Sequence, residues 1–157
     1  VPSLEHEKLV AMGARWFKKN GFPVIATELF TVGSRERPDV LAFRQTASAL
    51  IEVKVSWADF RADSAKPERT AGGLGNYRFY LCPEGLILPA DLPPRWELLY
   101  AKGRSVVPVV CPKGNYWPGF PRTPIEADLA SDYIPFLHQP DADAERSALF
   151  SIARRLS

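Results

Sequence analysis

A chain of 157 residues, 24% charged and 46% hydrophobic, can bury a core without disulfides or a structural metal and predicts one domain over 1–157. No apolar run approaches the roughly 20 residues of a membrane span, which argues against a membrane role. A net charge of +2 neither marks nor excludes a nucleic-acid binder.

Two cysteines, Cys82 and Cys111, stand far apart without a CxxC, and His6 and His138 are the only histidines. The usual zinc spacings are therefore excluded, and both thiols read as reduced and structural. The acidic start Val1-Pro2-Ser3-Leu4-Glu5-His6-Glu7 lacks the basic and apolar pattern of a secretion signal, so the expected location is the cytoplasm.

In chain order, Ser3 is placed to cap a helix over about 3–20, with Glu5 and Glu7 in its first turn. Leu9, Val10, Met12, Trp16 and Phe17 recur at helical spacing until Asn20-Gly21 stops it. Val24 to Phe30 reads as a strand, and residues 31–37 as a polar turn. A second strand starts at Pro38-Asp39 and runs to Phe43. Ala49 to Val55 is a third, the three suggesting an antiparallel meander. Ser56-Trp57-Ala58-Asp59 has capping-box form and starts a helix to about Ala65. A basic, Gly-rich link from Lys66 to Gly75 follows. Asn76 to Cys82, Glu97 to Ala101 and Ser105 to Val110 read as strands. Eleven of the fifteen prolines fall between Pro83 and Pro140, which favours turns and extended chain, particularly over about 103–140. A last helix is expected over about 142–156, with Leu149, Ile152, Ala153 and Leu156 on one stripe. The fold class is α/β: a mixed, mainly antiparallel central sheet flanked by helices, in the order αβββαβ.

The chemistry concentrates in the third strand. Side chains alternate there, so Glu52 and Lys54 share the face opposite Ile51, Val53 and Val55, about 7 Å apart along the chain. Antiparallel pairing through any even-length loop brings Asp39 to that same face. Pairing across Gln45-Thr46 sets Asp39 opposite Glu52; pairing across Gln45 to Ser48 sets it opposite Lys54. Two adjacent carboxylates become favourable around a hard divalent cation such as Mg2+ or Mn2+, with the Val53 carbonyl as a further ligand. Lys54 would either orient or deprotonate an attacking water, or hold a phosphate as a cation. The competing reading of an isolated Glu-x-Lys is the solvent face of an amphipathic strand.

Pro38-Asp39 followed by Glu52-Val53-Lys54, within helix, three strands, helix and strand, resembles the PD-(D/E)xK nuclease superfamily. The run Ile51-Glu-Val-Lys-Val-Ser-Trp-Ala-Asp-Phe-Arg-Ala-Asp63, then Tyr77-Arg-Phe-Tyr-Leu-Cys-Pro83 and Ile87-Leu-Pro89, is similar to its MmcB-like DNA-repair branch. The likeness covers about residues 5–101. It departs in a longer Lys66 to Gly75 segment and in Arg37-Pro38-Asp39, where that branch has Arg-Ala-Asp. The resemblance implies a restriction-endonuclease-like core, Asp39 and Glu52 as metal ligands, Lys54 as the catalytic lysine, and metal-dependent cleavage of DNA in repair, restriction or mobile-element processing.

Two more acids are candidate ligands. Glu7 lies on or beside the inward stripe of the first helix, or else serves its dipole. Glu28 shares a face with Val24 and Ala26 and would either help bind metal or pair with Arg37. For nucleic-acid phosphates the candidates are Arg35, Arg37, Lys66, Arg69 and Arg78. The alternative function is a binding module of the same fold that works in a larger complex without cleaving alone. RNA as substrate and a homodimer stay open.

Overall fold

The computed structural model describes residues 3–28, 37–69 and 72–157. Helix α1 (Leu4–Lys19) starts where Ser3 Oγ accepts the His6 N–H at 3.1 Å. Strands β1 (Val24–Thr27), β2 (Val40–Phe43) and β3 (Ser48–Val53) form the expected antiparallel meander. Helix α2 (Trp57–Ser64), with Ser56 Oγ accepting the Asp59 N–H at 3.2 Å, carries the chain over the sheet to β4 (Tyr77–Pro83). Strands β5 (Glu97–Lys102) and β6 (Ser105–Val110) complete a six-stranded sheet in the order β1-β2-β3-β4-β5-β6. β3, β4 and β5 pair in parallel and the other neighbours antiparallel. The mixed, mainly antiparallel α/β fold and its αβββαβ order are therefore present.

Helices cover both faces. On one, α1 buries Leu9, Val10, Met12 and Phe17 with Val40, Ala42, Ile51, Val53, Phe79 and Leu81. The approach is close: a Cβ on Gly13 would lie 3.1 Å from Ile51 Cδ1, so the helix rests on β3 where it has no side chain. On the other face Phe60 of α2 joins Leu41, Leu50, Tyr80, Trp96 and Leu98. The solvent-face reading of β3 fails, because all six of its residues are buried. A strand enclosed on both sides has to pair whatever charge it carries.

Three expectations shift. The first strand ends at Thr27, and Glu28 has φ of 53°; the rest of the expected 24–30 strand, and most of the turn after it, lie outside the described residues. The final helix, α4 (Ala142–Arg155), buries Ala148 and Ile152, whereas Leu149 and Leu156 are exposed. Ala144, Ala148 and Ile152, at four-residue spacing, form the inward stripe where the leucines were expected to anchor it. The proline-rich stretch holds a short helix, α3 (Pro124–Leu129), and returns Trp117, Tyr133 and Leu137 to the α1 side of the core. It is wrapped surface chain with buried anchors.

Candidate active site

Of the two registers left open by the sequence, the protein adopts the one turning across Gln45-Thr46. Val40 faces Ile51, Phe43 faces Ser48, and the Arg44 N–H donates to Ala47 O at 2.8 Å. One step beyond Val40, Asp39 therefore stands opposite Glu52 at the C-terminal end of β3. Three contacts fix it: Oδ2 accepts the Val53 N–H at 2.8 Å, Oδ1 lies 3.3 Å from His6 Nε2, and its carbonyl accepts the Glu28 N–H at 3.1 Å.

Glu52 is 6% exposed, and its Oε1 is 3.7 Å from Arg69 Nη2. Arg69 in turn grips Asp63 through two hydrogen bonds, of 2.9 and 2.7 Å. Asp63 is the hub of the site. Its buried carboxylate also accepts the Tyr80 hydroxyl at 2.6 Å and lies 3.4 Å from both Lys54 Nζ and Lys66 Nζ. Lys54 is held from the other side by its backbone, whose N–H donates to Leu81 O at 2.9 Å. Asp39, Glu52, Lys54, Asp63, Lys66 and Arg69, with His6, Arg37 and Asp59, line a cleft of about 460 Å³.

Burial pushes the Glu52 carboxyl well above the usual range, and the neighbouring Asp39 charge adds to the effect while Arg69 opposes it. Asp39 is also raised by burial, against the Val53 hydrogen bond and His6. Asp63 differs. Burial works against its ionisation too, but the Arg69 hydrogen bonds and charge, Tyr80 and Lys54 outweigh it and hold the carboxyl well below the usual range. The site thus has one permanently ionised carboxylate serving as a clamp, and two facing carboxylates whose charge is only partly compensated.

Asp39, Glu52, Val53 and Lys54 are gathered as expected, with Lys66 and Arg37 on the cleft wall. Arg35 lies outside the described residues. Four expectations are corrected. Glu7 is exposed on α1, because the buried stripe runs through Leu9, Val10, Gly13 and Phe17 and puts Glu7 beside it. Glu28 is exposed and meets Asp39 through its backbone, not as a cleft-lining carboxylate. Arg69 is not a surface phosphate contact: it is 3% exposed and bound to Asp63 and Glu52. Arg78 is 1% exposed, and its guanidinium donates to the carbonyls of Gly75 and Gly72.

Sequence reasoning missed His6 and Asp63. A signal for His6 existed: it precedes Leu9, Val10, Gly13 and Phe17 by three, four, seven and eleven positions, the spacing of one helical face. Asp63 gave none beyond its place in α2, since its partners come from β3, β4 and the link.

Asp39 and Glu52, with the Val53 carbonyl, are the donors that would hold a hard cation. Oxygen donors in this small number suit an ion that keeps several waters. Among the described residues no three His, Cys, Asp or Glu side chains form a ready-made cage.

No family model and no curated protein matches the chain. Among solved structures, a protein of unknown function from Silicibacter pomeroyi is similar with a TM-score of 0.58 and 23% identity, over 99% of this chain and 91% of that one. That likeness bears on the fold alone. No helix among the described residues is long and apolar enough to cross a membrane.

Proposed function

We propose that this protein is a Mg2+- or Mn2+-dependent nuclease that hydrolyses phosphodiester bonds in DNA, as the PD-(D/E)xK resemblance implies. The observation that carries the reading is Asp39 facing Glu52 across the β2–β3 hairpin, with Lys54 at the same end of β3. Burial raises both carboxyls, and the Asp39 charge raises the buried Glu52 further, so the pair is costly to ionise until a cation joins it. A bound divalent ion would polarise a phosphate oxygen and acidify a water.

The chain's own residues do the rest. Asp39 is aimed by the Val53 N–H and His6. Lys54, kept beside the ionised Asp63, presents an ammonium to the phosphate. Exposed Arg37 and half-exposed Lys66 line the same cleft and would neutralise flanking phosphates. In this reading the protein works in the cytoplasm as a DNA-processing enzyme, alone, as a homodimer or in a larger repair complex.

One observation favours a second reading, a nucleic-acid-binding module that does not cleave alone. Arg69 already supplies Glu52 with a cation at 3.7 Å, and Lys54 is tied to Asp63 at 3.4 Å. Labelled duplex, branched and single-stranded DNA, with RNA counterparts, incubated with Mg2+, Mn2+ or chelator decide between the two. Cleavage that needs metal and is abolished in Asp39→Ala and Lys54→Ala supports the nuclease. Binding without cleavage on every substrate supports the module, and cleavage indifferent to chelator overturns the site.

A further inference from the structure

Away from the cleft, α1 and the β5–β6 turn enclose a groove of about 550 Å³ whose charge is all of one sign. Its walls carry Arg15, Lys18 and Lys19 of α1 and Arg104 of the turn, and Met12, Trp16 and Val106 form its apolar floor. No carboxylate lines it, in a chain with 18 acidic residues. The four cations are exposed, and none forms an ion pair among the described residues.

Helix-dipole complementarity accounts for Lys18 and Lys19 in the last turn of α1. It does not account for Arg15 further back, nor for Arg104, which comes from another element. Helical geometry adds a direction. Lys8, Arg15 and Lys19 fall within about 40° of one another around the axis, a stripe roughly 16 Å long. Lys8 begins it, on the side of α1 about 160° around the axis from His6, which turns inward to Asp39. A row of cations several ångströms apart, with no carboxylate among the residues that line the groove, matches a polyanion of regular charge spacing better than a compact anion.

We infer that this groove is a second nucleic-acid contact, holding phosphate backbone outside the Asp39–Glu52 cleft. The inference rests on the nucleic-acid reading above, but not on cleavage. Binding is sequence-independent and strongly salt-dependent, because it comes from phosphate neutralisation with no reader of base edges. The apolar floor, with the half-buried Trp16 indole, faces the sugar and base side of the strand.

The test is fluorescence anisotropy of a fluorescein-labelled DNA duplex of about 20 base pairs in chelator, so that cleavage does not intervene, over a range of salt concentrations. Arg15→Ala/Lys19→Ala/Arg104→Ala is expected to weaken binding at least about tenfold and to lower the slope of log affinity against log salt by about 2 to 3. Lys102→Ala, which removes an ammonium paired with Glu84 at 3.1 Å outside the groove, is expected to leave the slope alone. Melting curves check that the triple variant is folded. An unchanged slope in the folded triple variant overturns the inference. So does loss of binding to phosphatidylserine vesicles with DNA binding intact, which would make the groove a membrane contact. Groove-dependent binding by a protein that never cleaves overturns the nuclease and leaves the groove standing.

Discussion

The Arg69 guanidinium lies 3.7 Å from the Glu52 carboxylate while holding Asp63 in a two-bond clasp. One residue of the α2–β4 link thereby joins a candidate ligand to the hub that holds Lys54. Removing a member of a buried ion network strands the others without compensation, so Arg69→Ala is expected to cost about 3 to 5 kcal/mol. Urea denaturation measures it. Arg69→Lys, which keeps the charge but loses the planar fork, should fall between. A loss below about 1 kcal/mol would show that the clasp contributes little to the fold.

The facing acids predict stabilisation by metal. At a concentration of about 100 times its dissociation constant a cation adds about 2.7 kcal/mol, or about 5 to 10 °C in a chain of this size. Thermal melts with and without Mn2+ should show that rise in the unmutated protein and not in Glu52→Gln or Asp39→Asn. The same rise in both variants would place the ion elsewhere.

His6 touches Asp39, whereas the adjacent Glu7 points away into solvent. A partner that orients a metal-binding carboxylate commonly matters by about 10- to 100-fold. His6→Ala is therefore expected to lower metal affinity or cleavage by that factor, with Glu7→Ala indistinguishable from the unmutated protein. Equal effects from the two would put the inward face of α1 in the wrong place.

Glu97 opens β5 with both carboxylate oxygens buried and without a hydrogen-bond partner among the described residues. Burial raises its carboxyl well above the ordinary value of 4.5. The folded protein then binds more protons than the unfolded chain, so this group's stabilisation is complete below that value and declines as pH rises toward the folded pKa. Glu97→Gln, neutral throughout, should gain on the unmutated protein with rising pH, each kcal/mol reading as about 2 to 4 °C in the melting temperature. A constant difference between pH 4 and pH 9 would contradict it.

Much of the site was legible because strand alternation and hairpin parity are rigid rules. Knowing that Glu52 and Lys54 share a face, and that the loop has an even count, is enough to bring Asp39 to them. The failures share one cause. Lys66 to Gly75 reads as a polar, flexible link, yet its Arg69 is drawn inward by Asp63 from α2 and Glu52 from β3. Each charge looks like surface until all three are in space. Arg78 misleads in the same way. In a sheet covered on both faces, alternation no longer separates inside from outside, and its guanidinium is satisfied by carbonyls of the link that precedes it. His6 was a matter of helix phase, where an error of one residue turns a side chain by about 100°.

The Gln45-Thr46 turn lies at the far end of the hairpin from Asp39, yet it works as a counting device for the chemistry. Its two side chains are exposed and open to replacement, but their number is not. A single inserted residue would slip β2 against β3, move Leu41 and Phe43 off their packed face, and take Asp39 away from Glu52. Variation in that turn is thus free in kind and constrained in parity, and a lesion about five residues away would silence the cleft without touching any group in it.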